Sequence, residues 1–375
     1  LLSRIMRNYQ IRGITLKILH YVDENRLAWG ETWIQLIKEL GVKGAQNHVI
    51  CKSGGTLSGR LREDELSFDT YDIPIQCIPF TAFGFRKIIK SFEPDIIHTR
   101  LSSAAMTGGY WGKKCSVPAV HTIDKYPKPY YYKNGALLIP CSNAVKNHMI
   151  SVGFTEDKMK VVHNPIDVTR YIRDEKTRIE MRKKLNFEDK TVIMSAGRFV
   201  DWKGFEYVIK AYSEILRCTE DGSRGKTSLF LVGSGPEKKK YMELVKDLKI
   251  GEYVIFNDFV QDIRPFLWAS DVFVQPSQLP EGFSLMLLEA MASSLPVITT
   301  DIGGSLDIIN DGENGWLTGT NDFDKMAQIL KQVISDTENR KRVSLNAVKT
   351  ASYFNVSRIA EETMGIYEMV LDSKS

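Results

Sequence analysis

The chain lacks the features that mark secreted, membrane-spanning or metal-stapled proteins. It holds five cysteines in 375 residues, at Cys51, Cys77, Cys115, Cys141 and Cys218. They are odd in number and scattered, and no CxxC pair occurs, so neither a disulfide framework nor a zinc site is expected. Reduced cysteines in a cytoplasmic protein are the plain expectation. No run of eighteen apolar residues is present, which argues against a spanning helix. The start, LLSRIMRNYQIRGITLK, carries basic residues throughout and no apolar h-region, so no secretory signal is expected. No nucleic-acid-binding module motif occurs, and nucleic acid is not an expected partner.

What is present is ordinary in amount and uneven in distribution. Hydrophobic residues make up 43% of the chain, the level of a globular protein, and the length suits two domains. The net charge of +4 hides an asymmetry: residues 1–165 hold 22 Lys/Arg and 14 Asp/Glu, the remainder 28 and 32. A basic first half suggests an anionic partner there, and an anionic membrane surface or phosphorylated lipid fits best.

Short apolar runs alternate with helical stretches along the whole chain, the rhythm of α/β layers on parallel sheets. In the first half TLKILHYV, HVIC, IQCIPF, DIIHT, PAVHT and LLIPCS read as strands. ETWIQLIKELG reads as a helix closed by Gly41. KVVHNPIDVTRY reads as a last strand and a hinge. A second series follows, with strands TVIMSAG, SLFLVG, YVIFND, VFVQP and PVITTD. Two Rossmann-like domains are therefore expected, with ligands at the C-terminal ends of parallel strands.

The most informative stretch is EGFSLMLLEAMASSLPVITT. Pro280 and Gly282 bracket Glu281 in a turn. Strong helix formers run from Leu285 to Met291 and put Glu289 in mid-helix. The first-turn N–H groups around Phe283, Ser284 and Leu285 have no acceptor within the helix, and helix N-termini favour anions. A second stretch, SAGRFVDWKG, follows a strand with Arg198 and Lys203, a planar fork and a mobile point charge suited to phosphate. A third, LVGSGPEKKKY, sets Gly233 and Gly235 after a strand but lacks the third glycine of a dinucleotide fingerprint.

The spacing Glu-x7-Glu, followed by an apolar strand and the pair Gly303–Gly304, resembles the signature of the retaining glycosyltransferases of family 4, two-domain enzymes of GT-B type. G-R-x4-K-G and G-x-G-P resemble that family's other signatures. The likeness runs from about residue 14 to 371 and is densest over 190–320. It implies an α/β GT-B fold: two Rossmann-like domains facing a cleft, residues 1–167 on the acceptor side and 168–356 binding the donor. The final helix, 357–375, is expected to cross back to the first domain, packing through Ile359, Met364, Ile366, Met369 and Val370. By resemblance, Glu281 contacts the donor sugar, Glu289 the ribose, and Arg198 with Lys203 the diphosphate. Gly282, Phe283, Ser284, Leu285, Gly233 and Gly235 border the nucleotide, and Gly303 and Gly304 allow backbone to approach ligand. Phe259 and Val260 are base-contact candidates, with Asp258 where the family usually has Gly. His121 corresponds to a histidine that reaches the donor sugar, and His98 lies near the cleft rim. Relatives commonly carry Gly-Gly-x-Glu after the first strand. Here the stretch is ENRLAWGETW, with Trp29 where a small residue is usual, and Gly30 is the remaining donor-site candidate.

The implied reaction is transfer of a hexose from a UDP- or GDP-sugar to a glycan or lipid-linked acceptor, as in bacterial lipopolysaccharide, O-antigen or capsule synthesis, with retention. No cofactor is expected. No DxD motif is present, which agrees with the family's metal independence, and Glu281 is engaged with sugar hydroxyls rather than poised as a nucleophile. Front-face attack follows, the leaving phosphate accepting the acceptor's proton. Location at the inner face of the cytoplasmic membrane suits the basic first half. Alternatives are a nucleotide-sugar epimerase, a soluble-acceptor transferase, or a non-catalytic nucleotide-sugar binder.

Overall fold

The computed structural model describes residues 15–27, 30–75 and 78–373. Trp29 and Cys77 lie outside them. The chain divides into two compact units, one running to Asp167 and resuming at Phe354, the other spanning Val168–Tyr353.

The first unit is a six-stranded parallel sheet in the order β3-β2-β1-β4-β5-β6. Its elements run β1 Leu16–Val22, α1 Glu31–Val42, β2 Ala45–Cys51, α2 Gly55–Glu63, β3 Phe68–Thr70, α3 Phe83–Phe92, β4 Ile96–Arg100, α4 Ser102–Cys115, β5 Ala119–Ile123, β6 Leu137–Pro140 and α5 Asn143–Ser151. β1, β4 and β5 are almost wholly buried, as expected of strands covered on both faces. Leu19, Ile97, Phe85 and Trp111 form a core with α3 and α4. Leu36 and Leu40 of α1 join Ile18 and Val120 in another.

Three local expectations give way. Gly41 does not end α1, which continues to Val42, and the left-handed residue is Gly44 at φ 96°. The run 75–80 is not a strand in its described part. Pro79–Thr81 form a 3-10 turn, since Pro74 and Pro79 each lack the N–H that a ladder needs. KVVHNPIDVTRY forms no strand either. Ile166 makes an isolated parallel bridge to Asn355, and Val168–Tyr171 form a 3-10 turn.

The second unit repeats the design with strand order β12-β11-β10-β7-β8-β9, all parallel. It runs α6 Glu175–Lys184, β7 Thr191–Ala196, α7 Phe205–Arg217, β8 Thr227–Val232, α8 Lys238–Asp247, β9 Val254–Asn257, α9 Arg264–Ala269, β10 Val272–Gln275, α10 Leu285–Ala292, β11 Val297–Thr300, β12 Trp316–Thr318, α11 Phe323–Ser335 and α12 Thr337–Tyr353. α7 shows how the sequence builds its cover. Phe205, Val208, Ile209, Tyr212, Ile215 and Leu216 recur at helical spacing and are all buried. β7 starts the series, β8 and β9 extend it one way, and β10 to β12 extend it the other. The order therefore reverses between β7 and β10, where loops diverge and leave room for a ligand.

The final helix, α13 (Val356–Asp372), packs in the first unit against α1 and the sheet. Ile359, Met364, Ile366 and Val370 are buried as expected, but Met369 is largely exposed. Its Tyr367 hydroxyl bonds His98 Nδ1 at 2.6 Å. Among the described residues no helix is long and apolar enough to cross a membrane.

Candidate active site

Five loops of the second unit leave the C-terminal ends of β7, β8, β9, β10 and β11, and they carry nearly every residue singled out by motif. The loop after β7 holds Arg198 and Lys203, and the loop after β10 holds Glu281. These two loops flank the reversal point, and one contact joins them: Lys203 Nζ lies 2.7 Å from Glu281 Oε2. Both side chains are about four-fifths covered, at 17% and 18% exposure. The second carboxylate oxygen of Glu281 accepts from Ser277 Oγ at 2.6 Å. Glu281 is thus clamped, not loose in its turn. The Lys203 ammonium also lies 4.9 Å from the Trp202 ring centroid. Arg198 is exposed.

The glycines shape these loops. A Cβ on Gly233 would stand 1.9 Å from Gly197 O, and one on Gly235 2.3 Å from Phe199 O, so both press the β8 loop against the backbone that carries Arg198. A Cβ on Gly303 or Gly304 would meet the backbone of the Glu281 turn, at 2.5 Å from Glu281 O and 2.2 Å from Gly282 O. These glycines let β11's loop brace the turn that presents Glu281.

At the N-terminus of α10, Ser284 is the cap. Its Oγ accepts from Leu287 N at 3.4 Å and donates to Gln275 Oε1 at 2.6 Å. Its side chain is therefore occupied, and the Phe283 ring is buried. The helix itself leaves the N–H groups of Leu285 and Met286 without acceptors. Gly282 completes the turn, buried beneath Gly304.

Glu289 stands in the middle of α10, and its polar neighbours lie outside every motif. The Tyr171 hydroxyl and the Arg170 charge lie near it, and both favour its ionised form. Desolvation outweighs both and pushes its carboxyl up to about 7. The folded protein therefore holds a proton here that an unfolded chain would release above its ordinary pKa of 4.5. This group opposes folding fully above pH 7, and that penalty disappears as pH falls through 7 towards 4.5. Glu289→Gln is accordingly expected to raise the melting temperature at pH 8 and to leave it unchanged at pH 4, which scanning calorimetry would read. Tyr171 belongs to no motif, and only proximity to α10 identifies it.

Phe259 follows β9 with 72% exposure, and Val260 beside it is half-buried. Asp258 pairs with Lys238 at 2.5 Å.

The first unit holds the remaining candidates. His121, the expected sugar contact, is completely buried. Strand alternation turns its ring under α4, where Nδ1 bonds Thr99 Oγ1 at 2.7 Å. Its Nε2 has no hydrogen-bond partner. That edge of the ring abuts Gly109 and Gly135, where a Cβ would stand 3.2 Å from Nε2 in each case. Burial holds the imidazole neutral, its pKa near 3. His98 is likewise enclosed, between Tyr367 and Thr122 Oγ1 at 2.8 Å. Gly30 is the buried N-cap of α1. The conspicuous polar cluster of this unit went unforeseen: buried Arg100, at the end of β4, donates to Asp124 Oδ2 at 2.6 Å and to Asn164.

Comparison with known proteins agrees with this geometry. The model of Glycosyltransferase Family 4 matches residues 30–170, and that of Glycosyl transferases group 1 matches residues 177–350. The lipopolysaccharide core biosynthesis glycosyltransferase LpsE of Rhizobium meliloti is 28% identical over 318 residues, 83% of this chain and 87% of LpsE. An uncharacterized glycosyltransferase of Methanocaldococcus jannaschii is 28% identical over 322 residues, 82% of this chain and 77% of the relative. Among solved structures, Anabaena HepE in complex with UDP superposes with a TM-score of 0.82 at 22% identity, covering 94% of this chain and all of HepE. With two six-stranded parallel sheets, signature loops at the strand ends and family models matching both units, the chain belongs to the family 4 glycosyltransferases of GT-B fold.

Proposed function

We propose that this protein is a retaining glycosyltransferase that moves a hexose from a UDP- or GDP-sugar to a glycan or lipid-linked acceptor, in lipopolysaccharide, O-antigen or capsule synthesis. The observation that carries the reading is the Lys203–Glu281 contact across the reversal point of the second sheet. It sets a cation for a diphosphate beside a carboxylate for sugar hydroxyls, next to a helix N-terminus with open N–H groups. HepE, with this fold, binds UDP and UDP-glucose. LpsE and the structurally similar galactosyltransferase WaaB act in lipopolysaccharide synthesis, and their likeness supports an acceptor of that kind.

In this reading Arg198, Lys203 and the N-terminus of α10 take up the charge that develops on the diphosphate as the bond from the anomeric carbon to phosphate oxygen breaks. The acceptor oxygen bonds that carbon from the same face, and its proton passes to the departing phosphate oxygen. Glu281 orients the sugar hydroxyls and Glu289 accepts from the ribose. Charge neutralisation rests on side chains, so no metal is required. The protein would work at the inner face of the cytoplasmic membrane.

Purified protein would be incubated with UDP-, GDP- and ADP-sugars, with and without lipid-linked acceptor extract, and free nucleoside diphosphate measured. Release from one UDP- or GDP-sugar, dependent on extract, is expected. Absence of nucleotide binding across the panel would overturn the donor reading, and full release without extract would overturn the lipid-linked acceptor.

A further inference from the structure

We infer that Tyr241 is a positioning residue for Lys203: its hydroxyl fixes the Val200 carbonyl and so sets the turn that aims the Lys203 ammonium at the donor diphosphate. This rests on the diphosphate role proposed for Lys203 and adds a residue of α8, outside the five loops of the site.

Lys203 ends a single 3-10 turn, Asp201–Lys203. Its backbone N–H donates to Val200 O at 3.1 Å, the bond that closes the turn. Tyr241 Oη donates to the same carbonyl at 3.2 Å. A carbonyl oxygen has two lone pairs, so it serves both donors. The orientation of the Val200 peptide decides where Lys203 leaves the loop, and the tyrosine hydroxyl holds that orientation from the helix.

This bond is one of three from a single helix face. Glu237, Lys240 and Tyr241 follow at i, i+3 and i+4 at the start of α8. Glu237 N donates to Phe199 O at 3.0 Å, and Lys240 Nζ donates to Asp201 Oδ1 at 3.2 Å. Three consecutive loop residues, Phe199, Val200 and Asp201, are thus tied to three residues of one helix. The next, Trp202, is tied from the β10 loop, its carbonyl accepting from Gln278 N at 2.7 Å. The Lys240 tie is half-exposed and weak. The Tyr241 tie comes from a completely buried side chain.

Packing alone does not call for a tyrosine here. The ring lies 5.8 Å from that of Phe199 and 5.7 Å from that of Phe205, and all three are buried. A phenylalanine would fill the same space with no polar atom to satisfy. A buried hydroxyl costs stability unless it is hydrogen-bonded, and this one gives its proton to the loop. Burial, with the charge of Glu237 beside it, raises its pKa above the usual tyrosine range, so it stays a donor at any working pH.

The test is calorimetric titration with UDP and with GDP, beside nucleoside diphosphate release and thermal unfolding. It is run on the wild type, Tyr241→Phe, Lys203→Ala and the double variant. Tyr241→Phe keeps the ring and is expected to weaken binding of the accepted nucleotide roughly fivefold and to lower turnover roughly tenfold, because misplacing a preorganised group is costly. Its melting temperature should fall by no more than about 4 °C. In the Lys203→Ala background the same change is expected to have no further effect on binding or turnover. Tyr212→Phe is the control for a hydroxyl that serves only the fold. Tyr212 is equally buried in the same core, and its hydroxyl meets Thr227 Oγ1 at 3.1 Å. It should lower melting similarly and leave binding and turnover at wild-type values. Wild-type binding and turnover in Tyr241→Phe would overturn the positioning role while the diphosphate reading stood. So would an equal loss with and without Lys203, because the hydroxyl would then serve the loop at large. Lys203→Ala with wild-type binding and turnover, or a wild type that binds neither nucleotide, would strike the diphosphate reading itself and the role of Tyr241 with it.

Discussion

Lys203→Ala is expected to lower turnover by a factor of roughly a hundred to a thousand, the range seen when one preorganised donor to a developing anion is removed. Its stability should hardly change. The ion pair with Glu281 is mostly covered, so its attraction is largely offset by the cost of desolvating both charges, and its net contribution is expected to be about 0–1 kcal/mol. The turn carrying Glu281 is also held independently, by Ser277 and by the bracing backbone of Gly303 and Gly304. The measurement is steady-state release of nucleoside diphosphate alongside thermal unfolding. Turnover within a few-fold of wild type would remove Lys203 from the diphosphate site. A collapse in melting temperature would mean that the pair serves the fold.

Glu281→Gln should separate binding from turnover. The ammonium proposed to receive the diphosphate is paired with the carboxylate proposed to receive the sugar. The bound diphosphate must share or replace that partner, and it sits beside a like charge as it does so. Removing the charge while keeping the shape is expected to tighten UDP binding by roughly tenfold. Transfer should still fall by about a hundredfold or more, because the sugar loses an ionised acceptor for its hydroxyls. Calorimetric titration with UDP and a turnover assay on the same variant would read both. Weaker UDP binding would show that Lys203 is positioned by Glu281 and not competed for by it. Unchanged transfer would remove Glu281 from the sugar.

In the proposed site, Glu289 adds a pH signature. Burial holds its carboxyl at about 7, so it is mostly protonated below that pH, whereas a ribose hydroxyl donates best to the ionised form. UDP binding is therefore expected to release a proton near neutrality and to weaken by up to about tenfold per pH unit below 7. Titrations in buffers of different ionisation enthalpy would detect the proton, and Glu289→Gln should abolish it.

Much of the candidate site was legible from local order alone. The spacing from Glu281 to Glu289, the breakers Pro280 and Gly282 and the helix formers after them define a loop-capped helix from short-range propensities. The structure forms α10 over Leu285–Ala292 with Ser284 as its cap. The β7 loop with Arg198 and Lys203 was equally readable, because a strand, a glycine and a helix start are all encoded within a few residues. The alternation of the two series determined the parallel α/β class, and the apolar stripe of α13 determined that it must pack.

Other decisions belong to contacts between residues far apart in sequence. Lys203 and Glu281 are 78 positions apart, and their pairing follows from the reversal of strand order, which sets β7 beside β10. The raised pKa of Glu289 comes from burial beside Tyr171, which no motif includes. Gly303 and Gly304 carry the mark of close approach, but only packing reveals that the thing approached is the Glu281 turn itself. His121 shows the limit most plainly. A histidine near a strand end in a glycosyltransferase-like sequence reads as functional, yet the face it takes depends on pleat and register, and here the pleat turns it into the protein. Local sequence determined which segments bend, coil or extend. Burial, charge pairing and access were set only when the sheets assembled, because each is a property of neighbours that the chain order does not contain.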